Sequence, residues 1–287
     1  MTLDNSKKIL IVGLGLLGGS YAMALKKKGF RVTAITRSRE SIDYALAHSL
    51  IDEGDTAVNP DLIEEADIIV FALYPQIFKD WITENGRLIK PGTVVTDVTG
   101  VKGCLVYDIQ AALPEGVEFI SAHPMAGREV YGVENSTDAI FHGANYIVVP
   151  TEKNTENGIA LCKALGETLG FARVSVLSPE EHDRMIAFLS QLTHCIAVSL
   201  MCANDSEDLY SYTGDSFRDL TRIARINDGM WSELFMCNRE ELLAQMDIFT
   251  DTFARFRDAL AAGDVDTMRQ MMRHSTEQRA KFDKPKR

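Results

Sequence analysis

Apolar residues run continuously near the start of the chain and then recur with helical spacing. Residues 9–12 are four β-formers, and they lead directly into Gly13-Leu14-Gly15-Leu16-Leu17-Gly18. An amphipathic segment continues over residues 17–28 and stops at Gly29. This order predicts a strand, a glycine turn and a helix that ends at a glycine cap.

Each glycine of the turn has a mechanical reason to be there. Gly13 permits a tight turn, Gly15 lets a pyrophosphate approach the backbone, and Gly18 lets the helix pack closely on the strand. Phosphates would then be received by the N-terminus of the helix. The motif therefore predicts a dinucleotide site rather than a purely structural turn, with these candidate cofactor-binding residues: Gly13, Gly15, Leu16, Leu17 and Gly18.

The end of the second predicted strand, residues 31–36, bears on the choice of cofactor. Enzymes that use NAD usually place an acidic residue there to accept a hydrogen bond from the adenosine ribose. This chain has Thr36, Arg37, Ser38 and Arg39 instead. Two guanidinium groups and two hydroxyls favour a 2′-phosphate, so the sequence predicts a preference for NADP, with NAD possible. An ordinary polar loop is the alternative.

Further apolar runs alternate with helical segments through the first half of the chain. They cover residues 67–73, 93–96, 117–122, 146–149 and 172–177. Such alternation is typical of an α/β, doubly wound parallel sheet covered by helices on both faces. We therefore expect a dinucleotide-binding domain over residues 1–177, with His123 at the carboxyl end of the strand 117–122, where open α/β sheets place their ligands.

The second half of the chain has only helical signals. Ser178, Pro179 and Glu181 form a predicted capping box at its start. Apolar residues at helical spacing then predict a second, all-helical domain over residues 178–287 that packs as a homodimer. Its predicted helices cover residues 179–203, 216–226, 231–262 and 265–282.

Composition excludes several classes of function. The 287 residues carry a net charge of -11, which argues against a nucleic-acid partner. Five cysteines without a C-x-x-C pair predict neither a disulfide framework nor a metal site. The first strand leaves no room for a signal peptide, and no apolar run approaches the roughly 18 residues of a membrane span. We expect a cytoplasmic protein with no membrane partner.

Several side chains could carry chemistry. His123 can act as a general base near neutral pH, although a structural histidine is the alternative. Arg218, Arg222 and Arg225 would share one face of a helix and could capture a dicarboxylate, or form a solvated ion-pair face. Ser190 and His194 are four residues apart on another helix, a spacing also common in polar patches.

Five motifs together resemble the prephenate/arogenate (cyclohexadienyl) dehydrogenase family. No one of them would suffice, but HPMAG and RDLTRIA in this order after a glycine turn are specific. The resemblance covers nearly the whole chain and implies a Rossmann-type domain followed by a helical dimerisation domain. The motifs are GLGLLGG at 13–19, TDVTGVK at 96–102, SAHPMAGRE at 121–129, SQLTH at 190–194 and FRDLTRIA at 217–224.

The resemblance implies oxidative decarboxylation of prephenate to 4-hydroxyphenylpyruvate, with hydride transfer to NAD(P), as a step of tyrosine biosynthesis. The implied base is His123, and Arg222 is the implied partner of a substrate carboxylate. The remaining implied site residues are His194 and Ser190 near the substrate side chain, Glu129 as a polar gate residue, and Trp231 lining the site from the partner subunit.

Two departures from the family pattern affect the expected site. Gly100 stands where the family commonly has a serine bonded to the catalytic histidine, and Thr99 is our candidate to replace it. Ser216 and Arg128 also differ from many relatives, which leaves the choice between prephenate and arogenate open.

Three alternatives to prephenate dehydrogenase remain at this stage. An arogenate dehydrogenase would give tyrosine directly. A β-hydroxyacid dehydrogenase or imine reductase would have a similar fold, but β-hydroxyacid enzymes typically use a lysine on the first long helix after the Rossmann domain, and residues 179–203 contain none. A catalytically silent NADP-binding protein is the alternative that Gly100 favours, whereas His123, Arg222 and His194 together argue against it.

Overall fold

A computed structural model describes residues 3–206 and 208–283. The chain divides into two compact units, Met1–Asn238 and Arg239–Arg287. The predicted boundary after residue 177 falls inside the first unit, between its strand-containing part and its helices, and it stays a prediction.

The first unit contains a six-stranded sheet in the order β3-β2-β1-β4-β5-β6, and every pairing in it is parallel. This confirms the predicted α/β architecture. The near-continuous apolar runs form these strands because both faces of a parallel sheet are covered. The strands are β1 Lys8–Val12, β2 Arg31–Ile35, β3 Glu53–Asp55, β4 Ile68–Phe71, β5 Val94–Asp97 and β6 Glu118–Phe119.

Helices cover the sheet on both faces. Alternate strand residues divide between two cores: Ile9 and Ile11 enter one, and Leu10 and Val12 enter the other. The first core includes buried residues of α1 Leu16–Lys27, α2 Arg39–Ala47 and α6 Glu156–Leu169. The second includes buried residues of α3 Pro60–Glu65, α4 Pro75–Asn85 and α5 Val106–Ala112.

A second sheet of three strands corrects the prediction for residues 117–122. Only Glu118–Phe119 pairs with β5, and the chain then enters β7 Ser121–Met125. This strand pairs antiparallel with β8 Asn145–Val149, which pairs parallel with β9 Arg173–Val176. His123 therefore lies inside a strand, opposite Ile147, and not at the carboxyl end of a parallel strand.

The first long helix of the second half begins as predicted. Ser178 and Glu181 form both hydrogen bonds of the capping box, with Pro179 in the first turn. Between α7 Pro179–Ile186 and α8 Thr193–Cys202 the helix widens into a π-helical segment, Ala187–Leu192. π-Helical segments are rare in proteins, and those that occur often lie at functional sites.

The same helix corrects the expectation about membrane-length runs. Over the described residues one helix, Pro179–Cys202, is long and apolar enough to span a membrane. Its most apolar stretch has a mean hydropathy of 1.7, and 28% of that stretch is buried in the protein. Polar side chains of this helix nevertheless bond to other parts of the first unit: Gln191 donates to the Leu234 carbonyl and accepts from Asn238, and Asp183 accepts from the Lys102 amide. We therefore read it as a packed helix of the first unit.

Shorter elements replace the predicted helix over residues 216–226. The chain forms α9 Asp215–Thr221, a 3₁₀ turn Arg222–Ala224 and extended backbone at Arg225. The segment predicted as one helix over 231–262 is two helices, α10 Asp228–Cys237 and α11 Arg239–Ala262, separated by Asn238. Asn227 caps α10 by accepting from the Met230 amide, which explains the earlier start.

The second unit consists of α11 and α12 Val265–Ala280. Gly263, with φ of 67°, makes the turn between them, and Asp264 caps α12 by accepting from the Thr267 amide. Large apolar side chains remain exposed on this unit, among them Ile248, Phe253, Leu260 and Met272.

Candidate active site

The glycine turn after β1 is shaped by close backbone packing. Gly13 has φ of 102°, which favours glycine. A Cβ atom at Gly18 would collide with the carbonyl oxygen of Gly13, so α1 can start this close to the strand only without a side chain there. At Gly15 a Cβ would meet nothing within 4 Å, so the backbone borders open space.

Within residues 3–206 and 208–283, no side chain caps the first N–H groups of α1. Gly15 occupies the N-cap without a capping side chain, and the first turn, from Leu16 and Leu17 onward, contains no acidic residue. The first N–H groups of a helix carry partial positive charge and need acceptors. A pyrophosphate fits this place, since it would supply those acceptors where the backbone is most open.

The loop after β2 differs in part from its prediction. Ser38 is the N-cap of α2: its hydroxyl accepts from the Ser41 amide and donates to Glu40, so it is already engaged. Glu40 thereby brings a carboxylate to the loop, which would repel a 2′-phosphate. Arg37 and Arg39 are exposed, and Thr36 is half-buried, with its amide donating to the Asp55 carbonyl.

His123 is the first member of a hydrogen-bonded series. Its Nδ1 lies 2.9 Å from Nε2 of His182, and Nδ1 of His182 lies 2.8 Å from Oδ1 of Asp183. Asp183 also accepts from the amides of Lys102, at 2.9 Å, and Gly103, at 2.7 Å. His182 and Asp183 are buried, whereas His123 is half-buried.

These surroundings keep both imidazoles neutral at neutral pH. Removal from water, then repulsion by His182 and Lys102, holds the pKa of His123 well below its ordinary 6.5. Burial likewise lowers the pKa of His182, and the hydrogen bond to Asp183 opposes that shift. A neutral imidazole can accept a proton, so His123 has the state that a general base requires.

The other ring nitrogen of His123 faces Gly100. A Cβ atom at Gly100 would lie 3.8 Å from Nε2 of His123 and 3.8 Å from Cδ1 of Leu234. Both distances are ordinary van der Waals contacts, so the missing side chain leaves room for a methyl group between His123 and Leu234 of α10, and we call this space the gap.

Thr99 does not replace the missing serine in this structure. Its hydroxyl donates to Asp97, contacts the Val101 carbonyl and accepts from Nζ of Lys102. Because these partners already engage the buried hydroxyl, the hypothesis that Thr99 bonds to His123 is corrected. Thr99 belongs instead to the polar cluster beneath the base.

That polar cluster fixes the strand that carries His123. Asp97, fully buried at the end of β5, accepts from the Ser121 hydroxyl at 2.6 Å and the Ala122 amide at 3.0 Å. Nζ of Lys102 donates to Asp97 at 2.9 Å and to the Ala122 carbonyl at 2.7 Å. Asp97 and Lys102 are thus hydrogen-bonded to each other and to the protein, as charges buried away from water must be. Their bonds to Ser121 and Ala122 join the two sheets immediately before His123.

A second group of polar residues lies around Arg222. Its guanidinium forms an ion pair with Glu129, and the two side chains are 63% and 41% exposed. Arg218 instead pairs with Asp215 at 3.0 Å and donates to the Thr213 carbonyl. The predicted stripe of three arginines is therefore wrong, since α9 ends before Arg222.

The rings of His194 and Trp231 pack against one another within the chain, tilted by 31°. Their ring centroids are 3.7 Å apart, and Nδ1 of His194 is 2.9 Å from the Ser190 carbonyl. The structure thus uses the backbone of Ser190, not its hydroxyl, in this contact. Trp231, expected to line the site of a partner subunit, lies against a histidine of its own subunit.

Helix α10 lies beside both the base, His123, and the ring of His194. Leu234 of this helix borders the gap at Gly100, and Trp231, one turn earlier, packs against His194. Residues three apart on a helix have neighbouring side chains, so the base and the His194 group share one face of α10. Glu233, which is also on α10, ties this helix to the start of α4 by accepting a hydrogen bond from the Gln76 amide at 2.6 Å.

Comparison with known proteins identifies the family. The family model for the prephenate dehydrogenase nucleotide-binding domain matches residues 21–176, and that for the prephenate dehydrogenase dimerization domain matches residues 178–274. The chain belongs to the prephenate dehydrogenase family. It is therefore an oxidoreductase that uses a nicotinamide cofactor.

Individual members of the prephenate dehydrogenase family agree with this assignment. The chain is 30% identical to the prephenate dehydrogenase of Bacillus subtilis over 91% of its own length and 72% of the relative's. It is 27% identical to the cyclohexadienyl dehydrogenase of Zymomonas mobilis, with 95% of each chain covered. The crystal structure of prephenate dehydrogenase from Aquifex aeolicus with hydroxyphenyl propionate and NAD+ superposes with a TM-score of 0.88 at 29% identity, covering 96% of this chain and 98% of that one.

Sequence reasoning missed two residues of the site in this prephenate dehydrogenase family member. His182 and Asp183 directly follow the predicted capping box, so the sequence placed them in the first turns of that helix. Their burial, which marks them as site residues, appears only in the structure. Their link to His123 spans 59 residues, which no local pattern indicates.

Proposed function

We propose that this enzyme catalyses oxidative decarboxylation of prephenate to 4-hydroxyphenylpyruvate in tyrosine biosynthesis. The observation that carries the proposal is the neutral His123, whose Nε2 borders the gap at Gly100. The names of the Bacillus and Aquifex relatives support prephenate as the substrate, and the hydroxyphenyl ligand of the latter resembles the phenolic product.

The reaction balances without a further reactant. NAD(P)+, when bound at the glycine turn, would supply the acceptor for the hydride that leaves C4 of the ring. The bond between C1 and its carboxylate breaks, CO₂ departs, and the electron pair of that bond enters the ring, which becomes aromatic. The proton of the C4 hydroxyl is taken by Nε2 of His123 and returned to the oxygen of the phenol.

The protein contributes alignment and proton transfer. Aromatisation supplies the driving force, so holding C4 and its hydroxyl against the base is the main requirement. The buried pair of Asp97 and Lys102 supports this alignment, because it fixes the backbone at Ala122. Thr99 contributes to the same support as a third member of that polar cluster.

Arg222 is the proposed anchor for a substrate carboxylate. A guanidinium can bind a carboxylate through two parallel hydrogen bonds, and Glu129, itself a carboxylate, occupies that place in the free protein. Substrate would then exchange with Glu129, which makes Glu129 a polar gate. His194, Ser190 and Trp231 are proposed to surround the substrate side chain, and the close packing of the His194 ring on the Trp231 ring supports that role.

For the cofactor we propose the glycine turn and the loop after β2. The free N-terminus of α1 supports pyrophosphate binding by Gly13, Gly15, Leu16, Leu17 and Gly18. Exposed Arg37 and Arg39, beside Thr36 and Ser38, support a preference for NADP over NAD, whereas Glu40 opposes it.

Arogenate is the second candidate substrate. It differs from prephenate by an amine in place of the side-chain carbonyl, and the Zymomonas relative is named a cyclohexadienyl dehydrogenase, a broader description. The side-chain end of the proposed pocket, near Arg128 and Glu129, would make this choice.

Three further features are proposed with the function. The dimerization-domain match and the exposed apolar side chains of α11 and α12 support a homodimer. The two family models, which meet between residues 176 and 178, support a domain boundary near residue 177. A cytoplasmic location follows from the biosynthetic role that the family implies.

The test is a grid of initial rates with purified protein, in which prephenate or arogenate is paired with NADP or NAD and reduced nicotinamide is followed by absorbance. We expect a clear rate with prephenate, higher with NADP. A rate only with arogenate would replace the substrate. No rate in any combination, with NADP binding shown by calorimetry, would overturn the proposed function in favour of a silent binding protein.

A further inference from the structure

The series from Asp183 through His182 to His123 has a direction, and that direction decides which nitrogen of His123 is the base. We propose that His182 and Asp183 are positioning residues that hold the proton of His123 on Nδ1 and leave Nε2 free to accept the proton of the substrate hydroxyl. This inference rests on the proposed function for its substrate but not for its proton arrangement.

The first step of the argument concerns Asp183. Both of its carboxylate oxygens accept backbone amides, Oδ1 from Lys102 and Oδ2 from Gly103. A carboxylate has no proton to donate, so Nδ1 of His182, 2.8 Å from Oδ1, must be the donor. The loop at residues 102–103 thereby holds Asp183 in one orientation.

The second step concerns His182. A neutral imidazole carries one proton, and that proton is on Nδ1. Nε2 of His182 is therefore an acceptor, and the atom that faces it at 2.9 Å, Nδ1 of His123, must donate. His182 is fully buried, so water does not compete for either bond.

The third step follows for His123. With its single proton on Nδ1, its Nε2 has a free lone pair, and this is the atom that borders the gap at Gly100. Both histidines thus carry their proton on Nδ1, and the free lone pair of the base is on the side that faces Gly100.

The same series offsets the charge that forms during reaction. The Lys102 ammonium acts against a positive charge on His123. Once His123 has accepted a proton, its Nδ1 continues to donate to His182, and the negative charge of Asp183 lies behind that ring. The arrangement parallels the orienting role of the aspartate in serine protease triads, with one imidazole inserted between carboxylate and base.

The direct test reads the proton positions without substrate. Protein labelled with ¹⁵N-histidine is studied by NMR in the free state at neutral pH, and the six histidines are assigned by comparison with His182→Gln and His123→Asn spectra. We expect His123 and His182 each to be neutral, with the proton on Nδ1. A proton on Nε2 of His123, or a doubly protonated His182, would overturn the proposal.

The kinetic test compares two replacements of His182. In His182→Gln the amide oxygen can still accept from Nδ1 of His123, whereas His182→Leu removes that acceptor. By analogy with triad enzymes, we expect kcat of His182→Leu to fall about 10²- to 10⁴-fold below wild type. The kcat of His182→Gln should be at least about tenfold higher than that of His182→Leu. The KM for the cofactor should stay unchanged in both.

Asn238→Ala is the matched control for lost stability. Asn238 is buried beside the same helix and donates to the Asp183 carbonyl and to Gln191, but it does not touch the imidazoles. It should lower the melting temperature while leaving the pH profile of kcat/KM as in wild type. Equal kcat losses in Asn238→Ala and His182→Leu would reduce His182 to a structural role and overturn the proposal.

The two tests separate this inference from the proposed function. If wild-type protein turned over neither prephenate nor arogenate, the function would fail while the NMR result still decided the proton arrangement. If wild type were active and His182→Leu were equally fast, only the positioning role would fail.

Discussion

Replacement of Arg222 by alanine separates a substrate anchor from a surface ion pair. In the free protein Arg222 contacts Glu129, and both side chains are largely in water. An exposed pair of this kind contributes about 0 to 1 kcal/mol to stability, so Arg222→Ala should move the melting temperature by less than about 4 °C.

The effect on catalysis should be much larger. Removing one partner of a bound charge pair costs about 2 to 5 kcal/mol. Because the Arg222 side chain is 63% exposed before substrate binds, water competes for it, and we expect the lower part of that range, about 2 to 3 kcal/mol. This corresponds to a loss of about 30- to 160-fold in kcat/KM. Arg222→Lys should lose less, since it keeps the charge but not the two-donor geometry.

The assay is initial-rate kinetics with prephenate at saturating cofactor, and Arg218→Ala is the matched control. Arg218 is an arginine of the same segment, 61% exposed and also ion-paired, but with Asp215. Its replacement should leave kcat/KM within about twofold of wild type, since the pair is an ordinary surface contact. Equal and small effects of Arg222→Ala and Arg218→Ala would refute the anchor.

Four other predictions concern the two buried histidines, the gap at Gly100 and the cofactor. Because the pKa of His123 is depressed, the acid limb of kcat/KM should lie below pH 6.5; a limb at or above that pH in the rate profile would contradict it. Below pH 6.5 an unfolded histidine binds a proton, whereas the folded His123 and His182 do not, because their pKa values are lowered. The free energy of unfolding, measured in urea, should therefore fall as the pH drops below 6.5, by up to about 1.4 kcal/mol per pH unit for each of the two histidines. The Cβ atom of Gly100→Ser should fit in ordinary van der Waals contact, and a hydroxyl bonded to His123 should raise kcat/KM by about 2- to 13-fold, the equivalent of one hydrogen bond, whereas a fall would show that the gap itself is needed. Arg39→Ala should raise the KM for NADP about tenfold with the KM for NAD unchanged as the internal control, and equal changes would remove Arg39 from phosphate recognition.

Local patterns in the sequence predicted the elements that local physics controls. The glycine turn at Gly13, the alternating apolar strands and the capping box at Ser178 depend on backbone sterics, side-chain period and hydrogen bonds within a few residues. These were sufficient for the α/β sheet and the helical second half. Motif resemblance then gave two residues that were already candidates, His123 and Arg222, their expected roles as base and carboxylate partner.

Other features depended on which distant segments pack together. Residues 117–122 were predicted as one strand, but their division between two sheets is fixed by Asp97, which binds Ser121 and Ala122 from another strand. Likewise, three arginines at helical spacing indicated one face, but α9 ends at Thr221, and Arg222 pairs with Glu129, 93 residues away.

The sequence by itself determined that this chain has a dinucleotide turn, a doubly wound sheet and a helical second half, because each arises from contacts between near neighbours in the chain. Only the tertiary structure decided that His123 is joined to His182 and Asp183, and that Thr99 is not free to assist it. The direction of a hydrogen bond depends on what surrounds both partners, and those surroundings come from segments that the chain brings together only when it folds.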